Sequence, residues 1–291
     1  MEPAELAERV FPGRVRHVEP LGGGITNHNF RVDLGDETVV LRVAGKDTEL
    51  LGIDRLVERD ASVMAAGLGV APEVVGFVEP EGYLVTRFVE GRPMPVEEMR
   101  RPAVVDRVAK TLRRVHEGPP IPGRFDSFRV VETFAETAAA HGVEAPEDYH
   151  WAKGVADEIE AARRGADVVP CHNDLLNANF LDDGEAVRIV DWEYAGMGDR
   201  FFDLANFSIN HEFDDEANDA LLRGYFGAVD DADARALRLM RFMSDFREAM
   251  WGVVQQGISE LDFDFVGYAT EHFARLRRTA ADPSFAAALR G

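Results

Sequence analysis

Cys171-His172-Asn173-Asp174-Leu175-Leu176-Asn177-Ala178-Asn179 is the densest run of polar residues in the chain, and Val187-Arg188-Ile189-Val190-Asp191-Trp192-Glu193-Tyr194 follows it closely. A hydroxyl that attacks a phosphoryl group needs a carboxylate to orient it and take its proton, and the polyphosphate needs oxygen ligands that hold magnesium. Asp174, Asn179 and Asp191 supply that set: the first two share one loop, and Asp191 ends an apolar strand. His172 is placed to brace the loop through hydrogen bonds. Asn and Asp also favour turns and bond to nearby backbone, and any one of these residues alone reads that way. Together they form His-x-Asp-x-x-x-x-Asn, a string that chance produces in roughly a few per cent of chains this long. A zinc site fails, because Cys171 and His172 are adjacent and no second ligand pair stands at the required spacing.

The same order, loop Asp and Asn followed by a strand Asp, occurs in the catalytic segment of protein kinases. Working upstream, Leu21-Gly22-Gly23-Gly24-Ile25-Thr26-Asn27 lies between two predicted strands. There the backbone around Gly23, Gly24, Thr26 and Asn27 can approach phosphate oxygens, although a glycine hairpin can also be only a turn. No Gly-Lys-Ser/Thr follows, which excludes a Walker loop. A cation on the third strand would grip the phosphates, and in Val39-Val40-Leu41-Arg42-Val43 only Arg42 can serve, on the same face as Val40. Glu58, in the helical stretch that follows, is its natural partner or else an ordinary surface charge. Phe88 and Val89 end the fifth strand, where backbone can meet an adenine edge.

From about residue 15 to 91 the sequence alternates short apolar strands with glycine turns and one helical stretch, 53–68. From 92 to 291 helical periodicity dominates, near 103–117, 128–141, 147–164, 215–226, 232–256 and 266–279, interrupted by short strands at 168–194. The expected fold is α+β and two-lobed, with residues 1–91 as a nucleotide-binding lobe and 92–291 as a catalytic and acceptor-binding lobe. Of 291 residues, 53 are acidic and 32 basic, for a net charge of -21. That balance repels nucleic acid and anionic membranes and permits a small cationic substrate, although an acidic surface also serves solubility. A single cysteine and no long apolar run suggest a cytoplasmic protein without membrane insertion.

GGGITNHNF, VVLRVAGKDTELLGIDR, CHNDLLNANF, RIVDWEYAG and WGVVQQGISELDFDFVGYATEHF together resemble the choline and ethanolamine kinases, a branch of the aminoglycoside-phosphotransferase-like kinases. The resemblance spans roughly residues 20–280 and implies a two-lobed protein-kinase-like fold. It further implies an ATP- and Mg²⁺-dependent kinase acting on a small amino alcohol, choline or ethanolamine. By motif position Asp174 is the base, Asn179 and Asp191 are magnesium ligands, and Arg42 replaces the usual lysine. Glu193, Tyr194, Trp251, Phe263 and Tyr268 are candidates to hold the amine, with core packing as the other reading of the last three. Two departures stand out. Glu248 occupies a position where the family places tryptophan, three residues before Trp251 and so on the same helix side, unless it faces solvent or pairs with Arg247 or Arg241. Asp203-Leu204-Ala205-Asn206 resembles the family's Asp-Ile-Gly-Asn, but the next acidic residue, Glu212, falls late. An aminoglycoside or thiamine-like acceptor, or a non-catalytic nucleotide-binding protein of this fold, are the competing readings.

Overall fold

The computed structural model describes residues 2–22 and 27–290. After α1 (Pro3–Val10), strands β1 (His17–Leu21), β2 (His28–Asp33), β3 (Thr38–Val43), β4 (Val74–Val78) and β5 (Tyr83–Arg87) form one antiparallel sheet in the order β1-β2-β3-β5-β4. Because β3 is central, its alternating side chains meet two different environments. Val39 and Leu41 join Leu6, Ala7, Val32, Leu34 and Val85 in a small core under α1. Val40 and Arg42 face the cleft below the sheet. Helix α2 (Arg55–Gly67) interrupts the sheet, begun by Asp54, whose carboxylate accepts the amides of Leu56 and Val57.

The rest is mostly helical: β6 (Arg92–Pro93), α3 (Val96–Met99), α4 (Pro102–His116), α5 (Ser127–Ala140), α6 (Glu147–Ala162), β7 (Val168–Cys171), β8 (Phe180–Asp182), β9 (Val187–Ile189), β10 (Gly196–Asp199), α7 (Arg200–Asn210), α8 (Asp215–Phe226), α9 (Asp231–Ile258), α10 (Phe265–Ala281) and α11 (Pro283–Arg290). The architecture is α+β with two lobes, an antiparallel sheet followed by a helical body, as the sequence implied. Two small sheets fix the polar loops: β7 pairs with β10, and β8 pairs with both β6 and β9.

Helix α9 forms the axis of the helical body. From Phe242 to Gln255 every side chain is buried, so this helix carries polar groups into the interior and each needs a partner. Ser244 meets Asn206, Asp245 accepts from Arg275 Nε at 2.7 Å, and Glu248 accepts from Tyr268. Gly252 lets α10 approach: a Cβ there would stand 2.9 Å from the Tyr268 ring. Along helix α7, Phe201–Ile209 are buried on all sides. In the sequence, helical periodicity locates α2, α4, α5, α6, α8, α9 and α10, and α7 is not among them. No helix among the described residues is long and apolar enough to cross a membrane.

Candidate active site

The loop after β7 is held almost amide by amide. The N–H groups of His172 and Asn173 donate to the two oxygens of Asp203, at 2.8 and 2.7 Å. One turn further along α7, Asn206 accepts the Leu175 N–H at 2.5 Å and donates to Ser244. Burial opposes the Asp203 charge, but His116 and the loop amides outweigh it and hold its carboxyl below the usual range. Asn173 takes a left-handed backbone, φ 68°, and its side chain donates to the Tyr194 carbonyl at 3.0 Å. Burial keeps His172 neutral by lowering its pKa. Its Nε2 lies 3.0 Å from the Val190 carbonyl and so carries the proton, leaving Nδ1 to accept the Asp174 N–H at 3.2 Å. One imidazole therefore ties the Asp174 loop to the segment bearing Asp191, itself left-handed at φ 68°. Asn179 completes the loop by donating through Nδ2 to Asp174, which leaves its amide oxygen as the atom able to serve a cation.

On the sheet side, Arg42 is surrounded by carboxylates. Its guanidinium contacts Asp191, Nε lies 3.0 Å from Glu58, and Nη2 lies 3.3 Å from Glu193. Burial works against its charge, and the three acids more than compensate, raising its proton affinity. Arg55 threads the same group, at 2.6 Å from Glu58 and 3.2 Å from Glu193, and also reaches Asn27 and Thr48. Asn27 in turn donates to Glu193 at 2.8 Å.

On the helical side, Asp174 faces Arg247, Nη1 to Oδ1 at 3.6 Å. Burial pushes the Asp174 carboxyl up to about 7 against the pull of Arg247, with Glu248, Asp191 and Glu193 adding to the rise. Arg247 also pairs with Glu248 at 2.5 Å, and the Tyr268 hydroxyl donates to the other Glu248 oxygen at 2.8 Å. Burial alone would raise the Glu248 pKa; Arg247 and Tyr268 bring it below the usual value. Trp251 stands edge-on to Tyr268 and Phe265, with ring centres 5.5 and 5.7 Å apart.

One cavity of about 480 Å³ unites these groups. Val40, Ala71, Leu84, Phe88, Val89 and Leu181 make an apolar slot at one end; Arg42, Glu58, Asn179, Asp191 and Glu193 line the middle; Asp174, Tyr194, Glu248, Trp251 and Tyr268 close the other end. Glu193 thus lies with Arg42 and Arg55, not with the aromatic end where it was expected. Phe263 requires a correction. It is 45% exposed, outside the cavity, and meets the aromatic group only through Phe265 and Tyr268, because it precedes the Asp264 cap of α10 on an outward loop. Glu212 is exposed and pairs with Arg100. Gly23, Gly24 and Thr26 lie outside the described residues. Two residues of these charge clusters had no site role in the sequence: Arg55, signalled only by its three-residue spacing from Glu58, and Arg247, named there only as an alternative partner of Glu248, a pairing the structure has.

Residues 17–240 match the protein family described as the phosphotransferase enzyme family. A crystal structure of a choline/ethanolamine kinase family protein from Mesorhizobium loti superposes with a TM-score of 0.85 and 30% identity, covering 99% of this chain and 98% of the other. The chain is also 26% identical over 297 residues to a probable ethanolamine kinase of Arabidopsis thaliana, covering 86% of this chain and 76% of that protein. Protein LicA of Haemophilus influenzae is 26% identical over 226 residues, 75% of this chain and 66% of LicA.

Proposed function

Since this chain belongs to the phosphotransferase enzyme family, in its choline/ethanolamine kinase branch, and is a small-molecule phosphotransferase, we propose that it transfers the γ-phosphoryl group of ATP, with Mg²⁺, to the hydroxyl of a small cationic amino alcohol. The observation that carries this reading is the convergence of Asp174, Asn179 and Asp191 between an apolar slot and an aromatic pocket in one cavity. The slot accepts the adenine, with backbone near Phe88 and Val89 at its edge. Arg42 neutralises phosphate charge, held in place by Glu58. Asn179 and Asp191 offer an amide and a carboxylate oxygen, a donor set that fits magnesium. When bound, the ion neutralises charge on the phosphoryl oxygens.

Asp174 orients the acceptor hydroxyl and takes its proton, and its raised pKa suits that task. Trp251, Tyr268 and Tyr194 bring aromatic rings to the amine end, and Glu248, although paired with Arg247 and Tyr268, adds a carboxylate where a further aromatic would stand. A trimethylammonium is held by aromatic faces alone, whereas an ammonium with N–H groups also donates to a carboxylate. The pocket therefore favours fewer methyl groups.

Acceptor-dependent ADP release with magnesium, measured for choline, ethanolamine, methylated ethanolamines, thiamine and aminoglycosides, tests the proposal. Ethanolamine and its methylated forms should give the highest kcat/KM. Turnover confined to thiamine or an aminoglycoside would replace the acceptor, and nucleotide binding without turnover on any compound would make the chain a non-catalytic member of its fold.

A further inference from the structure

Arg247 is the buried charge for which the reaction above has no use. Its side chain is 2% exposed, yet it borders the same cavity as Asp174. The groups around it are Asp174 from the loop after β7, Tyr194 with its ring centre 4.4 Å from the guanidinium carbon, and Glu248 from its own helix. All the ion pairing runs through Nη1. Nε and Nη2 have no hydrogen-bond partner among the described residues, and both nitrogens are covered from solvent by the protein itself.

Those two nitrogens form one edge of the planar fork, the edge that binds two oxygens side by side. Arginine has only donors, so the missing partner is an acceptor, and a buried guanidinium left half-satisfied is costly to keep. Neighbouring Asp174 and Glu248 do not fill the edge. We infer that Arg247 is an oxyanion-binding residue of the acceptor end, its Nε–Nη2 edge taking two oxygens of a bound anionic group. That chemistry has two sources beside Asp174: the phosphate of the phosphorylated product, or a carboxylate carried by the acceptor itself.

The inference rests on the reading of Asp174 as the point of transfer. Calorimetric titration of wild type, Arg247→Met and Arg247→Lys with phosphoethanolamine, serine and ethanolamine tests it. Ethanolamine has the amine and hydroxyl without the anion, so its affinity should change by less than about threefold. If the phosphate is the source, phosphoethanolamine affinity falls at least about tenfold in both variants. If a carboxylate is the source, wild type binds serine and the variants lose it by a similar factor while phosphoethanolamine is unchanged. The lysine variant keeps the charge and removes the fork, so it decides the matter should the methionine variant not fold. Equal loss for all three ligands, or no loss for either anion, would overturn the inference and leave Arg247 as a counter-ion of Glu248. Wild type that binds an anion through Arg247 but turns over neither ethanolamine nor choline sinks only the amino-alcohol reading.

Discussion

Two buried arginines flank the loop of Asp174, and they are compensated in opposite ways. Arg42 is answered by Asp191, Glu58 and Glu193, drawn from different segments and interleaved with Arg55. Arg247 has one close carboxylate, Glu248, a second in Asp174 at 3.6 Å, and a buried edge without hydrogen-bond partners. Both stay charged, since nearby acids raise each proton affinity despite burial. The difference separates two tasks. A cation enclosed by acids from both lobes is a fixed post that joins the sheet to the metal-side aspartate. A cation left half-answered beside a cavity is, on the inference above, a receptor. On the proposed function, the nucleotide end is built across the lobes and the acceptor end draws on α9 and α10.

That division can be broken by substitutions at either end. Asp191→Ala removes both the proposed magnesium ligand and the contact of Arg42 and should lower kcat/KM by about 10³-fold or more; magnesium-dependent nucleotide affinity that survives intact would remove Asp191 from the nucleotide end. Asp203→Asn should cost about 3 kcal/mol in urea unfolding, since one amide oxygen cannot replace a carboxylate that accepts from two loop amides and His116. Stability equal to wild type would mean that the loop does not depend on it. Arg42→Met should raise the KM for ATP by about tenfold and the KM for the acceptor by much less. An effect on the acceptor alone would merge the two ends. Smallest, Trp251→Ala should reduce kcat/KM for choline about three- to tenfold more than for ethanolamine, because only choline depends wholly on aromatic faces; an unchanged ratio takes Trp251 out of the pocket.

The meeting of Arg42 with Glu58 and Asp191 was legible in the sequence because these residues sit on or beside regular elements in a recognisable order. Arg42 alternates with the core-facing Val39 and Leu41 on a central strand, and Glu58 lies in the first turn of a helix capped by Asp54. The loop residues His172, Asp174 and Asn179 were legible from spacing alone. Other features had no local signal. Helix α7 is buried all round, and its Asp203 acts on backbone about thirty residues earlier, a contact visible only after folding. The pairing of Glu248 with Arg247 was an alternative the sequence offered and the structure has it, but the stacking of Arg247 on Tyr194 and its approach to Asp174 had no local signal. Tyr194 and Tyr268 pack against this pair from distant segments. Phe263 failed for the converse reason: its aromatic character suited the pocket, but its place just before a helix cap turns it outward.

The claim that one end of the cavity holds nucleotide while Asp174 serves the acceptor hydroxyl is tested most directly in Asp174→Asn, by measuring nucleotide affinity and single-turnover phosphoryl transfer on the same protein. The account predicts ATP binding within about threefold of wild type and transfer slowed by about 10²–10⁴-fold. Transfer at nearly the wild-type rate, or a loss explained wholly by weaker ATP binding, would contradict it.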